Sequence, residues 1–371
     1  MSSTEKPRLM RLDRRTMLGG LLTGAAAALA PAGSRAEDKD PPPAASVEAI
    51  EVDAKPIAHF DRRQPDTTRF GPLEFRGGLV LTSASSDFGG WSGLVMAPDG
   101  KSLLAISDAG TWMTAELAYD RDRPQGLGNV RLGPIPDSGG RPLESKKDAD
   151  AEAVALLEGN LQNGTLLIGF ERNHRIVRHP VRAGIIQPPA GTLSLPADAR
   201  RMPANRGIEA LTVLQGGRYK GAIVAFAERF TPSSGYHTGW LWIDGGEAQR
   251  LQLQDIDGFN ITDAAAMPDG SLIVLERYFR WTEGVKMRLR HISAAEFGPG
   301  RQMTGRTLFE GAGSSFEIDN MEGLALHRGA GGESILTLVS DDNFNHLLQR
   351  TLLLQFMLRD ERAGAVPSDR T

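Results

Sequence analysis

From about residue 92 onward the chain repeats one arrangement of polar and apolar positions. A polar or acidic residue opens a short run of small and apolar residues. A turn rich in Gly, Asp or Asn follows, and a second apolar run then ends in an acid. The openings are Ser92-Gly93-Leu94, Glu152-Ala153-Val154, Glu209-Ala210-Leu211, Asp263-Ala264-Ala265 and Glu322-Gly323-Leu324. The returns end at Asp108, Glu171, Glu228, Glu276 and Asp341. Short apolar runs bounded by turn residues predict strands, and each pair of runs predicts an antiparallel hairpin. Successive openings lie 60, 57, 54 and 59 residues apart, long enough for four strands and a loop. Each copy therefore predicts one blade of a β-propeller.

Dividing residues 37–371 by that period gives about six units, of which five are visible as phrases. The sixth is expected to combine strands near Val47–Thr82 with the run Thr351–Leu358, closing the ring and hiding both sheet edges. The expected architecture is all-β: a six-bladed β-propeller over residues 47–360, one blade closed by N- and C-terminal strands. A β-sandwich or an irregular β-solenoid is the alternative. Trp91, Trp240, Trp242 and Trp281 are expected in blade packing.

Hairpin geometry then says where the acids go. Residues equidistant from a tight turn sit opposite each other, with Cβ atoms about 5 Å apart. Ser92 and Asp108 are symmetric about Gly100, and Asp263 and Glu276 about Asp269-Gly270. Glu152 pairs in the same way with Glu171, Glu209 with Glu228, and Glu322 with Asp341, allowing a one-residue slip for bulges. The open ends of all hairpins in a propeller reach the same channel mouth. Like charges placed opposite each other there need a counter-charge. A hard cation such as Ca²⁺ supplies one. Arg172, Arg229 and Arg277, each directly after a return acid, supply another. Asn260, Asn320 and Asn343 near the same ends offer neutral oxygens, or cap backbone groups as turn residues.

Composition and charge narrow the classes. The chain has 371 residues with 43 glycines and 22 prolines, suited to many short strands and turns. The absence of cysteine excludes disulfides, zinc–thiolate sites and thiol catalysis. Residues 1–36 read as a twin-arginine-type signal: Arg14-Arg15, a Gly/Ala/Leu stretch to about Ala30, and Ser34-Arg35-Ala36 as a cleavage site. Asp13 and Met17 depart from the usual pattern, and an ordinary secretory signal or an uncleaved anchor is the alternative. The apolar run is too short and too rich in Gly and Ala to span a bilayer comfortably, so stable membrane insertion is not expected. A proline-rich linker (37–46) follows, and residues 361–371 are expected to be a flexible tail. The leader carries six basic and two acidic residues, so its loss takes the formal charge from −4 to −8. An acidic mature protein argues against nucleic acid as a partner. The expected location is the periplasm, with the twin-arginine export machinery as a transient partner.

The stretches Trp91-Ser92-Gly93-Leu94, Asp150-Ala151-Glu152-Ala153, Phe170-Glu171-Arg172-Asn173, Arg206-Gly207-Ile208-Glu209-Ala210-Leu211, Asn320-Met321-Glu322-Gly323-Leu324 and Ser340-Asp341-Asp342-Asn343-Phe344-Asn345 carry a family likeness. At these residues the chain resembles the bacterial phytase-like propeller family, often described as having esterase-like activity. The resemblance runs from about Phe70 to Leu358 and implies a six-bladed propeller with a polar central channel.

No G-x-S-x-G elbow, H-E-x-x-H helix, Arg-His-Gly motif, Walker A loop or dinucleotide fingerprint is present. The expected chemistry is metal-assisted hydrolysis of a phosphate ester, carboxylic ester or lactone. Candidate Ca²⁺ ligands are Asp108, Glu152, Glu209, Asp263, Glu322, Asn320 and Asp341. Glu171 or Glu228 would take a proton from water, and His346 or His174 near the mouth are further acid–base candidates. Arg172, Arg229 and Arg277 would bind a phosphate. The alternative is a non-catalytic periplasmic propeller with structural calcium, recognising a ligand or protein through loops such as 120–147 and 180–205.

Overall fold

The five phrases fold as five antiparallel sheets in a computed structural model that describes residues 46–231 and 235–359. The expected export signal, the linker apart from its last residue and the C-terminal tail lie outside the described residues. Blade I runs outward from Trp91–Met96 through Ser102–Ser107 and Thr111–Asp120 to Arg123–Pro134, with Glu48–Ala49 on its outer edge. Blade II begins at Ala151–Gly159, blade III at Ile208–Val213, blade IV at Asn260–Ala266 and blade V at Met321–Arg328. The inner strand of each blade touches those of its two neighbours, and that of blade V touches blade I, so the ring is closed.

There are five blades, not six. Leu73–Thr82 and Asp53–Ile57 do pair with the C-terminal strand Thr351–Leu358, but within the sheet that starts at Met321–Arg328. Blades I to IV draw their inner four strands from one continuous stretch each. The fifth phrase supplies only Met321–Arg328 and Ser334–Ser340 before Thr351–Leu358, and takes its outer strands from the other end of the chain. Division by length counted those borrowed strands as a blade of their own.

The apolar faces explain why the sheets stack. Five buried clusters fill the five gaps between neighbouring blades. Leu104, Ile106 and Trp112 of blade I meet Val154, Leu166 and Ile168 of blade II in one of them. Trp240 and Trp242 are buried between blades II and III, their indole N–H groups donating to Asp198 Oδ1 and the Ser194 carbonyl at 3.1 Å. Satisfying both N–H groups lets two large rings be buried without stranding a donor. Trp91 is likewise buried. Trp281, expected in blade packing, is instead 94% exposed. No helix among the described residues is long and apolar enough to cross a membrane.

Candidate functional site

The inner strands share a kink at their opening. In blade I, Trp91 pairs with Ser107 and Gly93 with Ile106, which leaves Ser92 out of the ladder. Glu152, Glu209 and Glu322 are skipped in the same way in blades II, III and V. A bulge re-aims the side chain of the skipped residue. Here it turns three glutamates toward the channel. The return acid comes one residue past the last ladder pair: the N–H groups of Asp108, Glu171, Glu228 and Asp341 donate to the carbonyls of Gly90, Asp150, Gly207 and Asn320 at 2.8–2.9 Å.

Blade IV breaks the expected pattern by one residue. Ile261 pairs with Glu276 and Asp263 with Leu275, so the bulged residue is Thr262. Arg277, opposite Asn260, stands where the other blades carry the return acid. The two acids assigned to this blade's rim therefore lie elsewhere. Glu276 is fully buried beside Arg288 and Arg290 of the next strand: it is ion-paired to Arg290, and its Oε2 lies 3.7 Å from Arg288 Nη1. Burial raises its pKa to about 7, against the pull of the two guanidinium groups.

Asp263 occupies the position filled by Gly93, Ala153, Ala210 and Gly323 in the other blades. There the next blade's backbone comes very close: a Cβ on Gly93 would lie 3.1 Å from Val154 N. In blade IV the carboxylate exploits that approach. It accepts from Leu324 N of blade V at 2.7 Å and from its own Ala264 N at 2.8 Å, and it also takes the Leu211 N–H of blade III. Asp263 thus joins three inner strands and has little acceptor capacity left for a metal.

Eight carboxylates converge at the mouth: Asp108, Asp150, Glu152, Glu171, Glu209, Glu228, Glu322 and Asp341. All but Asp108 are buried. Burial raises Glu152 well above the usual carboxylate range, and the charges of Glu322, Asp150, Asp108 and Glu171 push it further. Glu209 is raised by burial and then by Glu152, Glu228 and Glu322. Burial takes Glu171 to about 7 despite the hydrogen bond from Gly207 N, and Asp341 to about 8 with the help of Glu322. These interacting acids belong to four blades, so they form one shared electrostatic site.

Part of this charge is answered by the protein. Arg277 reaches Glu322 Oε1 at 3.1 Å and Glu228 Oε1 at 3.6 Å, and donates to Asn320 Oδ1. With that oxygen occupied, Asn320 serves the site as a donor, from Nδ2 to Glu322 at 2.9 Å and Asp341 at 3.3 Å. Asn260 likewise donates to Glu228 at 2.6 Å. Arg172 pairs with Asp150, while Arg229 turns aside to the Gly258 carbonyl and Asn260. Lys146, on the single helical turn Lys146–Ala149, places its ammonium 2.5 Å from Asp108 and 2.6 Å from Asp150. Neither Lys146 nor Asp150 had been assigned a role. The recurring position two residues before each bulge (Gly90, Asp150, Gly207, Asn260, Asn320) was the signal for the latter.

Two acids remain unanswered. Among the described residues, Glu152 and Glu209 have neither a hydrogen-bond donor nor a cation at their carboxylates, although 9% and 8% exposed. Asp108 Oδ1 is buried without a partner as well. Carboxylate oxygens of Asp108, Asp150 and Glu152 all lie within 4.8 Å of one another. An all-oxygen, strongly anionic donor set of this kind fits a hard divalent cation. Glu152 and Glu209, with Asp108 through Oδ1 and Glu322 through Oε2, keep oxygens that no protein group occupies.

At the edge of the mouth, His346 meets Asp342 Oδ2 through Nδ1 at 2.9 Å, and Thr351 Oγ1 donates to the same oxygen at 2.9 Å. Asp342 is buried, whereas the imidazole is 62% exposed. His174 packs against Gly207 and is pushed down by burial. Beyond the acids the channel turns apolar, opening at its far end into a cavity of about 570 Å³ lined by Leu94, Val154, Leu211, Ala264 and Leu324.

Fold and site together define a five-bladed propeller with a carboxylate-rich channel mouth, a hydrolase-like arrangement. The chain belongs to the phytase-like family, described as esterase-like activity of phytase, whose family model matches residues 86–344. No curated protein matches it in sequence. Among solved structures the Dos1 propeller is similar with a TM-score of 0.33 and 8% identity, over 78% of this chain and 75% of that one. The blade count here rests on the sheet order, not on that distant likeness.

Proposed function

We propose that the channel mouth hydrolyses an ester, carboxylic or phosphoric, with a divalent cation such as Ca²⁺ held by Asp108, Glu152, Glu209 and Glu322. What carries this reading is the pair Glu152 and Glu209: two largely buried glutamates with no donor or cation of the protein at their carboxylates, facing one channel in a member of the phytase-like family. A bound cation supplies Lewis acidity toward the carbonyl or phosphoryl oxygen. The remaining roles fall to the chain itself. Glu171, with its pKa near 7, accepts the proton of the attacking water at neutral pH. His346, its Nδ1 tied to Asp342, would give a proton from Nε2 to the leaving oxygen and regain it from solvent, to which Glu171 releases the proton it took. Arg277 and Arg172 offer positive charge to an anionic substrate.

Calcium titration calorimetry on the wild type and on Glu152→Gln and Glu209→Gln tests the site. Each variant is expected to weaken binding at least about tenfold, roughly 1.4 kcal/mol. Unchanged titrations in both would remove the cation from the mechanism. Turnover of p-nitrophenyl phosphate and p-nitrophenyl butyrate, with and without EDTA, then separates an enzyme from a binding propeller with structural calcium. We also propose a periplasmic location, supported by Arg14-Arg15 and Ser34-Arg35-Ala36. Sequencing the N-terminus of the exported protein should read from Glu37.

A further inference from the structure

The exposed large hydrophobic side chains among the described residues all lie at the mouth end of two adjacent blades. They are Phe279 and Trp281 of blade IV and Phe344, Leu347 and Leu348 of blade V. Phe279 and Trp281 share one face of a hairpin that climbs past Arg277. Trp281 stands four residues beyond that arginine, about 13 Å at ~3.3 Å per residue. The two rings meet edge to face with centroids 5.5 Å apart. Leu347 and Leu348, 95% and 82% exposed, sit in the loop between Ser340 and Thr351 of the adjacent blade.

This apolar lip is built into the acidic site. Asn343 and Phe344 both adopt left-handed backbone, with φ of 49° and 51°. Bulky residues avoid that region unless their surroundings hold them there, and such strain gathers at functional sites. The holding groups are site acids: Asp341 Oδ1 accepts from Asn343 N at 2.6 Å and Asp342 Oδ1 from Phe344 N at 3.1 Å. The Phe344 ring lies against Gly89 and Gly90. A Cβ at Gly90 would be 2.6 Å from Phe344 Cε2 and 2.4 Å from Asp108 Oδ1, so the aromatic ring and the acid meet over a glycine with φ of 65°.

We infer that this lip binds the apolar acyl or alkyl part of the substrate, placing its ester over the acidic mouth. The inference rests on the hydrolase reading and narrows it to carboxylic esters with an apolar chain. A polyanionic phosphate ester gains nothing from five exposed apolar side chains. An anionic bilayer would be repelled by the acidic mouth beside them.

Trp281 is the one exposed tryptophan of five, so its emission reports occupancy of the lip. Titration with N-octylacetamide, an uncharged chain that is not an ester, should give a saturable blue shift. Trp281→Ser should abolish that shift, and Leu347→Ser/Leu348→Ser should weaken it at least tenfold. With p-nitrophenyl esters, the wild type should prefer octanoate over acetate in kcat/KM by at least tenfold, and the double variant should lose that preference. No shift with the amide, a shift given only by phosphatidylcholine vesicles, or a chain preference untouched by the double variant would overturn the lip. A saturable Trp281 shift in a protein that turns over no ester, with or without Ca²⁺, would uphold the lip and discard the hydrolase.

Discussion

Replacing Asp263 by alanine separates a structural role from a ligand role at the heart of the propeller. Its carboxylate takes the N–H groups of Leu324 at 2.7 Å and Ala264 at 2.8 Å together with that of Leu211, and it is only 2% exposed. Alanine would leave three buried amide donors without an acceptor. Each stranded donor costs about 1–3 kcal/mol, and water entering from the channel would recover part of that, so a net loss of about 3–5 kcal/mol is expected. That is a large fraction of the ~5–15 kcal/mol by which a domain is stable. Urea unfolding followed by far-UV circular dichroism, in EDTA and again in saturating Ca²⁺, measures the loss. A structural clamp predicts the full deficit in EDTA and an unaltered calcium affinity. A deficit below about 1 kcal/mol in EDTA, or one that emerges only with Ca²⁺, would refute the hydrogen-bond argument and restore Asp263 to the ligand set.

Glu276→Gln should destabilise by about 3–5 kcal/mol, because Arg290 stays buried with its counter-charge gone, whereas Arg288 keeps Asp257 and Glu310. Calorimetric calcium binding should not change, since Glu276 faces away from the channel. In EDTA the melting temperature should fall as pH rises from about 5 to 8. Glu171 and Asp341, at about 7 and about 8, keep protons when folded that an unfolded chain has already released, so raising the pH removes a stabilising uptake. Saturating Ca²⁺ should flatten that slope in differential scanning fluorimetry, and a flat or rising profile in EDTA would contradict the shared repulsion. Lys146→Met should tighten Ca²⁺ binding several-fold by freeing Asp108 Oδ2, as read by the same calorimetry.

Much of the site was legible because turn symmetry and blade spacing are both visible in one dimension. Glu152, Glu209 and Glu322 open their strands as the phrases imply, and Asp108, Glu171, Glu228 and Asp341 end the returns beside them. Blade IV was misread because a bulge costs one residue of register and leaves no mark in composition. Ile261-Thr262-Asp263 offered a conspicuous acid, but the skipped residue was Thr262, and with the same one-residue offset Arg277 took the rim in place of Glu276. Lys146 and Asp342 escaped notice for another reason. Each acts through loop contacts that no strand period describes, Lys146 on Asp108 and Asp150, and Asp342 on His346 and Phe344. Trp281 was expected in blade packing, whereas its place at a hairpin tip leaves it exposed, with its ring against Phe279.

The borrowed strands of blade V impose an order of assembly. Leu73–Thr82 is made long before one of its sheet neighbours, Thr351–Leu358, is there to pair with it. Until then that strand carries an open row of amide groups, the surface on which chains aggregate. Four whole blades must be made before the circle can shut, so losing Thr351–Leu358 would strand Leu73–Thr82 as well.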